Sequence, residues 1–499
     1  MKIDEKLIEK AFILFLIALG IFYIYLASQT KMLGEDEAFF YDMGKKFSQS
    51  NYPPFDNLGR PISLSPFVPL TFTIPFMIFG SSIELAKIII SLFGILTVLL
   101  VYLIGKKINI YYGIISAFLL FSANLFTHFM LIVYLEIPIA FFSILATYMF
   151  LNLNSYKRAI LAGAVISLAF SVKQTGLFLL AGLVIYKLIL YLHQKDVIHI
   201  KTMLMVIFAS VILMTPFLIK NIIAYNYPYT YFLNNFFNEP KAPMHWEGVT
   251  GKVLSTPMLT IQTYAANLSW LLVISIIFSL VWFLLNIENK KAPKELLLPT
   301  ILSSLFILLY YIFYFLDMGI SEPRNIFIIF PQLSLVGGFF LWKLKEYKKY
   351  FILLILVVCV LSLYMSVQIA IGTSSSQRYP DNYIQALEWI KKNTDKSDII
   401  LTTYSGSVKY FAERDVVWGV KDLPEVMSTT NSTFIYNAMK KYNVSYILVW
   451  RGILGDRFIV PESNLIGIFT YNFLNNVISD NTHFNVTYQN QDNIVFKVL

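Results

Sequence analysis

A single cysteine, Cys359, stands among 499 residues. No disulfide can form within the chain, and a zinc site built on thiolates is excluded. Histidine is scarce too, with five in the whole chain. Only 14% of residues are charged, whereas 57% are hydrophobic. No soluble globular protein of this length needs so much apolar surface, so most of the chain belongs in a bilayer. Acids are fewer than bases, 30 against 39, for a net charge of +9. In a membrane protein that excess reflects cytoplasmic loops and not a nucleic-acid partner. The segment Met1 to Lys10 mixes both signs, and the apolar run after it lacks a small-residue cleavage site. We read that run as a retained transmembrane helix.

Where the first apolar run ends, the sequence turns acidic: Glu35, Asp36, Glu37 and Asp42 fall within eight residues. Read as a helix from Asp36, this stretch places Phe40, Met43 and Phe47 at i+4, i+7 and i+11. The acid and an apolar stripe then share one face of a helix lying along the membrane surface. A carboxylate held at that depth costs free energy unless something pairs or uses it.

A hydrocarbon core of ~30 Å takes about 20 apolar residues per helical span. Spans are expected near 10–28, 82–104, 111–130, 135–152, 159–173, 174–192, 202–219, 263–286, 296–315, 324–342 and 350–371, with a break near Lys173-Gln174-Thr175-Gly176. On this count Lys106/Lys107, Lys157/Arg158, Lys195/Lys201, Lys290/Lys291/Lys294 and Lys343/Lys345/Lys348/Lys349 all fall on one side, which the positive-inside rule makes cytoplasmic. The N-terminus is then inside and the C-terminus outside. The external side collects the acids and two long loops, 29–81 and 220–262. The proline-rich stretch from Ser65 to Gly80 reads as a re-entrant or interfacial helix. Domain 1–371 is therefore membrane-embedded. Residues 372–499 form a small external α/β domain, with helices at 383–392 and 434–442 and strands at 398–403, 445–450 and 493–498. Three glycosylation acceptor patterns, at Asn431, Asn443 and Asn485, are compatible with an external location.

Asp36 and Glu37 are the candidate catalytic acids. The bland alternative, acids in a first turn favouring the helix dipole, does not account for an acid aligned with the buried stripe. Glu136 reads either as a cap or as a second acid facing Asp36 across a cavity. Lys173 reads as a snorkelling lysine or as an anion partner. Arg324, Lys87 and Lys220 stand at external span entrances, where each either pairs with an acid or holds a phosphate. His245 in the second long loop is more readily a solvated histidine than a metal ligand. Acids able to serve as a base and cations at the lipid–water boundary suit attack by a hydroxyl with departure of a phosphate.

The ordered motifs resemble the GT-C membrane glycosyltransferases, in particular the dolichyl-phosphate-mannose protein mannosyltransferase and lipid A aminoarabinose transferase superfamily. They are Asp36-Glu37-Ala38, Ser65-Pro66-Phe67-Val68-Pro69-Leu70, Phe79-Gly80-Ser81-Ser82-Ile83-Glu84-Leu85-Ala86-Lys87, Glu136-Ile137-Pro138, Ala162-Gly163 through Lys173-Gln174-Thr175-Gly176, Lys220-Asn221 with Asn226-Tyr227-Pro228, and Arg324 ahead of Phe330-Pro331. The resemblance implies a GT-C fold of about eleven transmembrane helices with an external domain. It also implies a polyprenyl-phosphate sugar donor, a glycan, protein or lipid acceptor, and Asp36 as the acid that activates the acceptor. The second long loop reads Asn234-Asn235-Phe236-Phe237-Asn238-Glu239, with Lys241 and His245 downstream. This departs from the aminoarabinose signature and leaves a divalent metal open. No Trp-Trp-Asp motif is present, which disfavours an oligosaccharyltransferase. The competing readings are a transporter or flippase for a lipid-linked saccharide, and a non-catalytic scaffold.

Overall fold

The computed structural model describes residues 4–31, 34–51, 67–153, 155–225, 269–286, 294–315, 323–346, 348–377, 379–417, 423–451 and 469–499. The protein is a multi-pass helical membrane protein with a small mixed domain at its C-terminal end. Six described helices are long and apolar enough to cross a membrane: Glu5–Gln29, Ile83–Lys106, Leu177–Gln194, Ile198–Ile219, Ile326–Lys343 and Phe351–Ser375. Shorter apolar helices, among them Ile110–Phe121 and Glu136–Leu151, pack between them.

The membrane part runs α1 (Glu5–Gln29), α2 (Glu35–Ser48), α3 (Phe67–Phe79), α4 (Ile83–Lys106), α5 (Ile110–Phe121), α6 (Asn124–Phe129), α7 (Glu136–Leu151), α8 (Tyr156–Val172), α9 (Leu177–Gln194) and α10 (Ile198–Tyr225). It continues through α11 (Trp270–Asn286), α12 (Lys294–Phe315), α13 (Phe330–Lys343) and α14 (Lys348–Ser375). The span expected at 111–130 is two helices, α5 and α6, parted at Ser122-Ala123, where the Ser122 hydroxyl donates to the Leu119 carbonyl at 2.7 Å. The expected break after α8 is present as a 3-10 turn, Gln174–Gly176. Gly176 is required there, because a Cβ would lie 2.5 Å from the backbone of Ala169 and Phe170.

Burial follows from the solvent. Helix α13 is the centre of the bundle, with Phe330, Phe339 and Gln332 wholly buried, and the Gln332 amide donates to Ser143 Oγ at 2.7 Å. A buried amide in an apolar bundle needs such a partner. Helix α14 lies at the edge and presents Ile352, Leu356 and Val360 outward, the residue types that lipid accepts. Helices α4 and α5 touch backbone to backbone: a Cβ on Gly105 would lie 2.6 Å from Gly113 Cα, the close approach that small residues permit between membrane helices. The proline-rich stretch forms α3, which buries Val68, Phe72 and Phe76 and exposes Ile74, Met77 and Phe79. Its Ser65-Pro66 start lies outside the described residues.

The C-terminal domain is a five-stranded sheet in the order β2-β1-β3-β5-β4, from β1 (Ile399–Thr402), β2 (Asp415–Val417), β3 (Val444–Trp450), β4 (Phe484–Gln489) and β5 (Asn493–Val498). Strand β1 pairs parallel with β2 and β3, and β5 pairs antiparallel with β3 and β4. Helices α15 (Asp381–Asn393), α16 (Leu423–Ser428), α17 (Ser432–Lys441) and α18 (Tyr471–Ser479) accompany it. Strands β2 and β4 are additions to the sequence reading. The first is only three residues long; the second, Phe484-Asn485-Val486-Thr487-Tyr488-Gln489, alternates apolar and polar residues and carried a strand signal that the sequence reading missed.

Candidate active site

Helix α2 starts beside the segment joining α6 to α7. Gly34 lies so close to Tyr134 that a Cβ would meet its hydroxyl at 2.5 Å. One turn on, Glu37 is completely buried. Its Oε1 accepts from the Val133 amide at 3.1 Å and pairs with the Lys87 ammonium at 3.2 Å. Lys87, also fully buried in the first turns of α4, donates to the carbonyls of Thr30 and Lys31, each at 2.8 Å. An ammonium carries three protons, and all three are engaged. The end of α1, the start of α2, the first turns of α4 and the segment before α7 are thereby tied at one point.

Two expectations change at this point. The apolar face was expected to carry Asp36, but its deepest acid is Glu37, while Asp36 is only half-buried. The stripe itself is as expected, with Phe40, Met43 and Phe47 all buried. The helix is turned toward Glu37 because Lys87 offers a counter-charge inside the bundle, where an unpaired carboxylate is costly. Lys87, a candidate for the donor phosphate, is saturated by this pair and its two carbonyls.

A second lysine–glutamate pair lies at the start of α7 and the end of α8. Glu136 is 3% exposed, and its Oε1 lies 3.2 Å from the ammonium of Lys173, which caps α8. Its other oxygen, Oε2, is buried without a hydrogen-bond partner among the described residues. Arg324 stands in the 3-10 turn Pro323–Ile329, which packs against α7. The Arg324 side chain lies outside the described residues, as does that of Lys220 on α10 and the whole of His245. The described residues contain no group of three His, Cys, Asp or Glu placed to hold a metal ion. Two of the acids, Glu37 and Glu136, are neutralised by lysine.

The C-terminal domain rests on α2. Ala38 is buried in one cluster with Tyr379, Tyr383, Val408 and Ala412. The Tyr41 ring meets Tyr410 edge-on at 5.4 Å, and the Lys409 ammonium lies 5.8 Å from the centre of the Phe39 ring. Helix α2 and the domain therefore occupy the same side of the bundle. At the opposite ends of α4 and α8, Lys106 pairs with Glu9, Lys107 donates to Asn152 Oδ1 at 2.5 Å, and Arg158 donates to the Asn152 carbonyl at 2.9 Å. Two of the basic clusters read from the sequence, Lys106/Lys107 and Lys157/Arg158, thus lie at the ends of α4 and α8 away from Glu37 and Glu136.

Comparison with known proteins gives a family match and fold matches. The family model for dolichyl-phosphate-mannose-protein mannosyltransferase matches residues 78–229, from the end of α3 to just past α10. No curated protein sequence matches the chain. Among solved structures, the chain is similar to ArnT from Cupriavidus metallidurans bound to undecaprenyl phosphate, with a TM-score of 0.66 at 11% identity over 97% of this chain and 98% of that one. It is also similar to the Archaeoglobus fulgidus oligosaccharyltransferase in complex with Zn and sulfate, with a TM-score of 0.60 at 14% identity over 87% of this chain and 68% of that one. The same oligosaccharyltransferase tethered to an acceptor peptide containing the NVT sequon gives a TM-score of 0.55 at 14% identity over 88% of this chain and 69% of that one. The chain has the GT-C fold of the membrane glycosyltransferases, and its residues 78–229 match the protein mannosyltransferase family within that fold.

Proposed function

We propose that this protein is an inverting glycosyltransferase that moves a sugar from a polyprenyl-phosphate donor to an acceptor hydroxyl on the external face of the membrane, with Asp36 as general base. One observation carries the reading. Of two adjacent acids opening α2, Glu37 is locked to Lys87 and to the Val133 amide, while Asp36, about 100° round the helix, is only half-buried. The lock fixes the helix and so fixes the position of Asp36. In the reaction the Asp36 carboxylate takes the proton of the acceptor hydroxyl as its oxygen bonds to the anomeric carbon. The bond from that carbon to the phosphate oxygen breaks, and the electron pair leaves with the lipid phosphate. Attack from the opposite side inverts the centre with no covalent sugar–enzyme intermediate.

Arg324, Lys173 and Lys220 are the cations assigned to the departing phosphate, where charge develops. Lys173 is held at this boundary by its pair with Glu136. The undecaprenyl phosphate bound to ArnT supports the lipid-phosphate class of donor. A transporter of lipid-linked saccharides would place its ionisable sites on broken helices near the midplane. Here Glu37 and Glu136 stand in the first turns of their helices. The test is a panel of labelled polyprenyl-phosphate sugars offered to the purified protein with membrane extract. Label should pass to an acceptor with release of polyprenyl phosphate. Transport of the intact lipid-linked sugar without cleavage would overturn the reading.

A further inference from the structure

We propose that the junction between α2 and the C-terminal domain is a saccharide-binding groove that seats a glycan acceptor; the assignment rests on the glycosyltransferase reading above and supplies its acceptor class. The groove has a volume of about 540 Å³, within the ~300–1,000 Å³ of ordinary small-ligand sites. Its floor is aromatic. Tyr41 from α2 meets Tyr410 edge-on at 5.4 Å, and Tyr410 meets Phe411 edge-on at 4.8 Å. Phe411 is braced perpendicular to Tyr379 at 6.2 Å, and the Tyr41 hydroxyl donates to the Ser81 carbonyl at 3.4 Å, so the rings are held from both domains.

The rim is charged but balanced. Two carboxylates, Glu388 and Glu413, face two ammoniums, Lys391 and Lys392, and Lys391 bonds Glu413 at 2.9 Å. Burial raises the phenol pKa of both Tyr41 and Tyr410, so both remain protonated at neutral pH; Tyr41, whose proton goes to Ser81, serves as an acceptor, and Tyr410 serves as donor and acceptor. Each chemical class of ligand can be weighed against this lining. A phosphate-rich ligand would want an excess of cations, and the lining has none. A lipid tail would leave the charged rim desolvated. An extended peptide adds most readily to a strand edge, and the lining comes from helices and a turn. A sugar ring presents an apolar face of C–H groups and an edge of hydroxyls that both donate and accept. Aromatic rings together with two carboxylates and two ammoniums in the lining offer partners for both. The groove also starts on the catalytic helix: Tyr41 is five residues past Asp36, about 7.5 Å along the axis at ~1.5 Å per residue and about 140° round it, so a saccharide seated there reaches Asp36 by wrapping round α2.

Ligand-observed saturation-transfer NMR on the full chain in detergent tests this. The probes are a mannopentaose, a maltopentaose and an N-acetylchitotetraose, with a serine/threonine-rich peptide as the contrasting ligand. At least one saccharide should show transfer, and Tyr410→Ala should weaken it about tenfold. Glu388→Ala, an exposed rim change that leaves the fold untouched, should weaken it too. Undecaprenyl phosphate binding should be unchanged in both variants. Absence of saccharide transfer, transfer that persists undiminished in Glu388→Ala, or transfer from the peptide alone would each overturn the proposal. Asp36→Asn separates the two readings. If it keeps full turnover while the groove variants lose saccharide, the general-base reading fails and the groove stands.

Discussion

Replacing Lys87 by methionine keeps the bulk of the side chain and removes its charge. Both partners of the Lys87–Glu37 pair are fully buried, with nitrogen and oxygen 3.2 Å apart. At an effective dielectric of about 20, that separation corresponds to roughly 5 kcal/mol of attraction. The carbonyls of Thr30 and Lys31 also lose their donor, at about 1–3 kcal/mol for each buried group left unsatisfied. Against these stands relief from desolvating the ammonium, so Lys87→Met should cost about 3–5 kcal/mol net, the usual figure for breaking a buried pair from one side. The assay is thermal inactivation of the purified protein in nanodiscs, followed by intrinsic fluorescence. Glu37→Gln should also destabilise, and the double variant should recover part of the loss, because no uncompensated charge is left in the bundle. Strictly additive losses would mean that the two residues do not act as a pair, and the idea of Glu37 as the lock that positions Asp36 would fall with it.

Four further outcomes follow from particular contacts and from the proposed roles. Arg324→Ala, if Arg324 holds the donor phosphate through a charge-assisted bond of about 1.5–3 kcal/mol, should weaken undecaprenyl phosphate binding by about ten- to a hundredfold; unchanged binding in a folded variant removes it from the site. Gly113→Ala would set a Cβ 2.7 Å from the Tyr102 carbonyl oxygen and should cost about 1–3 kcal/mol by forcing α4 and α5 apart, read as a lower inactivation temperature. In the C-terminal domain, hydrogen bonds from Thr482 and then from His483 hold the Asp480 carboxyl well below the usual range. A depressed folded value gives stability that is present above the unfolded carboxylate range and is lost as pH falls through the folded value. Hydrogen exchange across 471–489, corrected for intrinsic rates, should therefore show opening at low pH, and Asp480→Asn should abolish that pH dependence. For topology, cysteines placed at Ser50 and Ser375 should label from outside intact cells; labelling only after permeabilisation reverses the orientation.

Much of this architecture was legible because bilayers impose strong patterns. The break at Lys173–Gly176 was visible as a lysine and a glycine interrupting an apolar run too long for one helix. Strand β5 matches the expected 493–498 because its apolar residues are bounded by polar turns. The acidic opening of α2 was legible for the same reason, being charge where a bilayer span ends. What could not be read was which acid turns inward. Asp36 and Glu37 differ by one position, and the decision is made by Lys87, some fifty residues on, whose ammonium reaches Glu37 only once the end of α1 and the start of α4 come together beside α2. Tyr41, Tyr410 and Phe411 cannot be grouped from the sequence for a similar reason. They come from two domains, and aromatic residues are too common in this chain to stand out singly.

The most direct test of the account is turnover of Asp36→Asn, measured beside its inactivation temperature and its affinity for undecaprenyl phosphate. The substitution preserves size and most hydrogen bonding and removes only the base. Fold and donor binding should therefore survive while turnover falls by about 10²–10⁴-fold. Glu37→Gln should instead lose stability first and turnover less. Near-normal turnover in Asp36→Asn, with transfer abolished in a stable Glu37→Gln, would contradict the assignment of the base; retained transfer in both would remove the active site from α2 altogether.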